Sequence, residues 1–436
     1  MKGDFSRNTF GAFNRFTRVL MQQGRVQVDA DWNEQTAILL HYLQTLASDL
    51  IGPSGVGLPR HGGPGDGFKI QVVDENKYDF GIQSGNYYVD GILCENAQLV
   101  AYSKQLDYPL SDTTNLRKGS YLVYLDVWER HISYIQDDSI REVALGGPDT
   151  ATRAKLVWQV KVAEVDSETG CNNIVADWAS WVNKRQPGDQ CRLKAQAKKD
   201  GTGTSDPCIT SPDARYRGAE NQLYRVEIHD DLAGKETFKW SRDNGSVVFP
   251  IRALTGKIVT LEHLGLDPSY SLQEGDWVEI VDDDYVLQGR AEVLLKVTHI
   301  DRVEMQVTLD KAPASTVGED ERKHPLLRRW DQKGSKAGAV PVEEEKDLHL
   351  EDGVQICFEL DGSYRSGDYW LIPARAATGD VEWPKEYPQD SQVLELVPQF
   401  QPPHGVLHHY APLAIIAVEQ DGTVTVEGDP CHRTFE

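Results

Sequence analysis

The chain has no apolar run approaching the ~18 residues of a membrane span. Its N-terminus, MKGDFSRNTF, also lacks a charged stretch followed by a continuous apolar one. Both absences point to a soluble protein made in the cytoplasm without a cleaved signal. Positive charge is scarce: 45 Lys and Arg stand against 68 Asp and Glu, a net charge of -23. That balance speaks against unspecific binding to nucleic acid or to an anionic membrane surface, and suits a part that stays dispersed until it meets a cognate surface. Cysteine is sparse as well. None of the six forms a C-x-x-C pair, so a zinc ribbon or thioredoxin-like site is unsupported. Cys94 and Cys357 lie in apolar stretches and read as small core residues. Cys171, Cys191 and Cys208 share one polar stretch and could form a disulfide or chelate a metal, but no histidine accompanies them there.

The spacings that chemistry requires are also missing. There is no G-x-x-x-x-G-K-[ST] loop, no G-x-S-x-G elbow and no H-E-x-x-H helix. His404, His408 and His409 form the only histidine cluster. Two adjacent residues on a strand point to opposite faces, so the cluster reads as structural. Asp282, Asp283 and Asp284 lack the ligand spacing of a calcium loop and read as a solvated turn. No catalytic, cofactor or metal residue is nominated, and the chain is not expected to be an enzyme.

Most of what is present is strand. With 436 residues the chain has room for two to four domains of ~100 to 200 residues. From Phe68 to Glu164 short alternating runs are separated by turns such as Asp90-Gly91, with no helical pattern between them. Tyr121 to Trp128 is apolar on both parities, as in a central strand. Leu156, Trp158, Val160 and Val162 should face a core, with the other side of that strand largely wet. Strands return from Tyr216, through an Asn244-Gly245 turn, at the close spacing of a small closed barrel. A charged connector holding Glu343, Glu344 and Glu345 leads to a last domain packed with Trp370, Trp383 and Tyr410. The expected fold is mainly β and multidomain, with β-sandwich or barrel domains and one prominent N-terminal helix. Its divisions are an N-terminal arm, strand and helix (1–53), a β-domain (66–165) after a Gly- and Pro-rich loop holding His61, and a polar Cys-containing insertion (166–214). A barrel-like domain (215–311), the connector (312–349) and a C-terminal β-domain (350–436) follow.

The N-terminal helix organises this reading. Arg25 to Ala30 alternates like a half-buried strand. Asp31 can then cap a helix, with Glu34 completing an acidic capping box. Leu39, Leu43, Leu46 and Leu50 recur at four, three and four residues, widened by Leu40, Ala47 and Ile51, and line one face. Gly52 and Pro53 end it. That face needs a partner, either a β-domain or another copy of the chain. Ahead of it, Phe5, Phe10, Phe13 and Phe16 stand among Arg7, Arg15 and Arg18, an aromatic and basic arm on an acidic protein. Either the arm is a first strand whose Phe side chains enter the core, or it orders on assembly and its deletion leaves the chain folded.

Four long words, GDFSR, VLMQQGRVQVDADWNEQ, RYRGAENQLYRVEIHD and FKWSRDNGSVV, resemble an uncharacterised bacterial family of phage-tail-like genes found beside the baseplate genes of contractile injection systems. The resemblance weakens between about Ser167 and Ala214. It implies a structural part near a baseplate, spike or fibre, acting through protein-protein assembly. The partners implied are other subunits of such a particle or further copies of itself, and the particle could be released from the cell. Phe5, Phe10, Phe13, Phe16, Leu39, Leu43, Leu46 and Leu50 are the assembly candidates. The alternatives are a carbohydrate-binding or glycan-cleaving adhesin, suggested by the Trp and Tyr content, and an injected cargo.

Overall fold

The computed structural model describes residues 1–57, 67–72, 78–110, 116–186, 191–197, 215–232, 234–265, 267, 270–333, 338–387, 396–427 and 431. His61 and Cys208 lie outside them. The architecture is mainly β with one long N-terminal helix, and its strands distribute over three cores that do not follow chain order.

The first core is a sandwich. Strand Gly119–Ile132 is its spine, flanked by Arg153–Val165 on one side and by His409–Val418, with Val424–Glu427 beyond, on the other. Tyr121 to Trp128 lies inside that spine, which explains its apolar character on both faces. Two small sheets, Ser54–Val56 with Gly85–Val89 and Ile92–Asn96, and Ile70–Gln71 with Gly81–Ile82 and Val100–Ala101, enclose Phe68, Phe80, Tyr87 and Val160 against it. The Asp90-Gly91 turn joins Val89 to its partner Ile92, both turn residues having positive φ. That is the geometry of a two-residue hairpin. The far side of strand Arg153–Val165 is not wet as expected. Val157 and Gln159 are fully buried, Val157 against Trp128 and Leu287, while Ala163 and Val165 lie under the helix Cys171–Arg185.

The barrel closes in the order Val248–Thr255, Ile258–Leu261, Gln306–Leu309, Leu295–Asp301, Trp277–Val281 and Leu326–Trp330. Its bounds differ from the expected 215–311. It starts at 248 and is shut by Leu326–Trp330, which lies within the expected connector. Those five residues, LLRRW, look charged, yet Arg329 is buried and donates to the Ser271 carbonyl at 2.9 Å.

The earlier strands Gln222–Asp230 and Thr237–Ser241 join Tyr369–Arg375 in a five-stranded sheet. It shares a third core with Leu348–His349, Val354–Phe358 and Leu193–Ala197. Trp370 and Trp383 belong to this core, whereas Tyr410 packs under the helix Cys171–Arg185 on the sandwich. Residues 350–436 therefore serve two cores. The segment 166–214, expected as a polar insertion, contributes that helix and strand Leu193–Ala197. Cys171 does not pair within its own stretch but forms a disulfide with Cys431, and Cys94, Cys191 and Cys357 are free and buried.

The Asp282 to Asp284 turn is not a solvated one. Asp282 is buried and caps the short helix Asp283–Leu287 by accepting from the Tyr285 amide at 2.8 Å. Asp283 pairs with Arg130 and His324, and Asp284 with Lys323. The Arg130 contact ties the barrel to the sandwich. Glu344 is likewise engaged, accepting from the Tyr364 hydroxyl at 2.8 Å.

Candidate interaction surface

The N-terminal helix, α1, spans Asp29–Ile51, its cap lying three residues before the Asp31 that the capping argument names. Asp31 is not its cap. Val28 occupies that position without a side-chain hydrogen bond, and residues 25–28 form no strand. Asp29 and Asp31 in the first turn still favour the positive end of the macrodipole. The acceptors are spent on the arm: Asp29 accepts from the Ser6 amide at 2.9 Å, Glu34 from the Thr9 hydroxyl at 2.5 Å and Gln35 from the Val19 amide at 2.8 Å.

The face that α1 buries is not the leucine face. Ala30 and Ile38 are its buried residues, and Gln44 sits on the Asp90-Gly91 hairpin so closely that a Cβ at Gly91 would lie 1.9 Å from the Gln44 carbonyl oxygen. Leu39, Leu43, Leu46 and Leu50 point away, 54%, 62%, 56% and 72% exposed, and Trp32, two turns earlier on the same line, is 78% exposed. Leu40 and Tyr42 widen the exposed strip. A helix held through Ala30, Ile38 and the backbone at Gln44 leaves its largest side chains in water, the reverse of an ordinary amphipathic surface helix.

The arm divides in two. Residues 1–7 form a strap that enters the protein. Lys2 Nζ lies 3.0 Å from Glu227, Asn244 donates to the carbonyls of Met1 and Gly3 at 3.2 and 2.9 Å, and Arg7 pairs with Glu382 at 2.9 Å. Phe5 is half-buried, edge-on to His131 with ring centroids 6.0 Å apart. The strap is not the first strand considered from sequence, since it pairs with no sheet. Nor is it a free arm. Beyond it, Phe10 is half-buried against His41 at 5.7 Å, while Phe13 and Phe16 are exposed. Phe10, Arg15, Phe16, Ile38, His41 and Tyr42 help line a cavity of about 260 Å³ between arm and helix.

The strap meets a buried charge network that sequence reasoning missed. Glu227 faces Lys2, Arg225 at 2.6 Å and Lys239 at 3.5 Å. Lys239 also donates to both oxygens of Glu279 at 2.7 and 2.8 Å, and Glu279 accepts from Trp330 Nε1 at 2.9 Å and from the Tyr285 hydroxyl. Burial alone would raise the Glu227 pKa, but Lys2, Arg225 and Lys239 more than reverse this and hold it well below the usual carboxylate range. Burial pulls Lys2 down to about 7 against the attraction of Glu227. The only signal available was the Asn244-Gly245 turn, whose Asn is buried to grip the strap rather than to link a hairpin.

The histidine cluster splits between carboxylates: His408 Nδ1 lies 2.7 Å from Asp126, and His409 Nδ1 2.8 Å from Asp90. Among the described residues no group of His, Cys, Asp and Glu is placed to hold a metal ion, and no helix is long and apolar enough to cross a membrane.

Three interleaved β-cores, a strap and a long helix with its leucines turned outward define a mainly β protein. The chain belongs to the family of unknown function DUF6519, whose model matches residues 1–186 and 166–433. No curated protein and no solved structure matches it significantly.

Proposed function

We propose that this chain is a structural component of a phage-tail-like contractile injection particle, near its baseplate, spike or fibre, and that it works by protein-protein assembly. The observation that carries the assembly reading is the strip of Trp32, Leu39, Leu43, Leu46 and Leu50, exposed along a helix fixed to the body by its opposite side. Contiguous apolar surface of this kind marks interaction sites. The particle itself comes from the resemblance of the four long words, two of which fall on the arm and α1. The glycan reading has less support, because Trp370 and Trp383 are core residues and Arg185 covers the Trp181 ring at 3.4 Å.

The test is to tag the chain at its own locus, purify it under native conditions and ask whether it cosediments with a particle carrying sheath and tube subunits. Recovery of the chain alone, from cells that assemble such particles, would sink the proposal.

A further inference from the structure

The exposed side chains of α1 follow a stricter rule than amphipathicity. Trp32, Thr36, Leu39, Leu43, Leu46 and Leu50 succeed one another at steps of four, three, four, three and four residues. That is a repeat of 3.5, the a and d positions of a heptad with a at 36, 43 and 50. Leu40 and Ala47 then fall at e, Gln35 and Tyr42 at g. The buried Ala30 and the hairpin-seated Gln44 fall at b, and the buried Ile38, which faces the arm, at c, on the opposite side. Contact with the body and contact with a partner therefore use separate faces.

We propose that α1 pairs with α1 of a second copy of this chain to form a coiled coil. This deepens the assembly part of the proposed function and rests on it. Knobs-into-holes packing needs another helix with the same period over about three heptads, and α1 is 23 residues long. Within the described chain the other helices do not qualify. Cys171–Arg185 is spent on the sandwich through Ile174, Trp178 and Trp181, and Asp283–Leu287 has five residues. A second copy offers an identical seam, as a self-complementary two-fold contact requires.

Charge favours the same occupant. Besides Asp29 and Glu34, which accept from its own arm, α1 carries Asp31 and Asp49, and it has no Lys or Arg. Beside it the exposed part of the arm presents Arg15, Arg18 and Arg25 together with Phe13, Phe16, Leu20 and Met21. A second copy supplies both the apolar seam and the cations its partner helix lacks.

The experiment is sedimentation velocity on the full chain over a range of micromolar concentrations. The wild type should sediment as a dimer or a higher multiple. The double variant Leu43→Glu/Leu46→Glu should raise the dissociation constant at least ~100-fold, because it buries carboxylates in the seam. Since both side chains are exposed in the single chain, its circular dichroism should be unchanged. A control at another exposed apolar position, Val303→Glu, should leave association intact. A Leu43→Cys variant should cross-link to itself on oxidation. A wild type that stays monomeric throughout, or association that survives the double variant, overturns the inference. A chain that is monomeric alone yet needs the seam to enter particles overturns it too, while leaving the proposed function standing. A seam-dependent dimer that never cosediments with particles does the reverse.

Discussion

Replacing Glu279 with Gln tests the buried network from its most enclosed member. Glu279 is 1% exposed, and its carboxylate receives Lys239 on both oxygens, the Trp330 indole and the Tyr285 hydroxyl. The amide keeps the shape but not the charge, leaving the ammonium of Lys239 with Glu227 alone, at 3.5 Å. Removing one partner of a buried ion pair costs about 3–5 kcal/mol. One amide oxygen also cannot serve all of these donors, which adds about 1 kcal/mol for an unmet hydrogen bond. We expect Glu279→Gln to destabilise by about 4 kcal/mol, measured by denaturant titration with Trp fluorescence, since Trp330 lies at the site. The double variant Lys239→Met/Glu279→Leu removes both charges and should cost less than the single one. A single-variant cost below about 1 kcal/mol, or a double variant that loses the sum of both singles, would refute the idea that this pair is buried and mutually dependent.

The two faces of α1 should respond oppositely when the chain is dilute enough to be monomeric. Ile38→Asp should cost several kcal/mol by placing a carboxylate in an apolar contact, and Leu43→Asp should stay within about 0.5 kcal/mol; equal shifts in thermal unfolding would show the faces are misassigned. Deleting residues 2–18 should lower the unfolding midpoint, because Glu227 and Asn244 lose their partners in the strap, and an unchanged melting curve would make the strap energetically idle. The pH dependence has a definite sign. Burial lowers His229 from its ordinary value to about 4, so between about 6.5 and 4 the unfolded chain binds a proton that the folded chain does not. Stability contributed by the neutral ring is present above pH 6.5 and is lost as pH falls through that window, by at most about 3 kcal/mol. His229→Gln should reduce this limb, to which the likewise buried His131 and His404 contribute, in denaturant titrations at pH 7 and pH 5, and an unaltered slope would count against it.

Local patterns were legible where one rule acted alone. The alternation around Tyr121 to Trp128, the Asp90-Gly91 turn and the long helix ending at Gly52 can each be read from neighbours in sequence. The misreadings arose where a distant partner overruled the local signal. LLRRW closes a barrel because Arg329 finds the Ser271 carbonyl, and three consecutive Asp residues are engaged because Tyr285, Arg130 and Lys323 reach them. The leucine period of α1 was visible, but its direction was not. Spacing identifies a face, and only the tertiary contacts, Gln44 seated on the Gly91 hairpin and the burial of Ala30 and Ile38, decide which face turns inward. The strap was hidden for a related reason, since Lys2 and Phe5 look like any exposed N-terminal residues until Glu227 and His131 are placed beside them.

The order of the sandwich sheet has a consequence for how the protein is made. Its spine, Gly119–Ile132, pairs on one side with the next strand but on the other with His409–Val418, Leu122 lying opposite Ile415. During synthesis one whole edge of that spine waits, unpaired, while both other cores emerge from the ribosome. An apolar strand with an open edge is a template for intermolecular pairing, and contacts so remote in sequence form slowly. Yield of native protein should therefore depend on whatever shields that edge in the interval. Chains truncated anywhere before the last two strands should accumulate as aggregates rather than as smaller folded units.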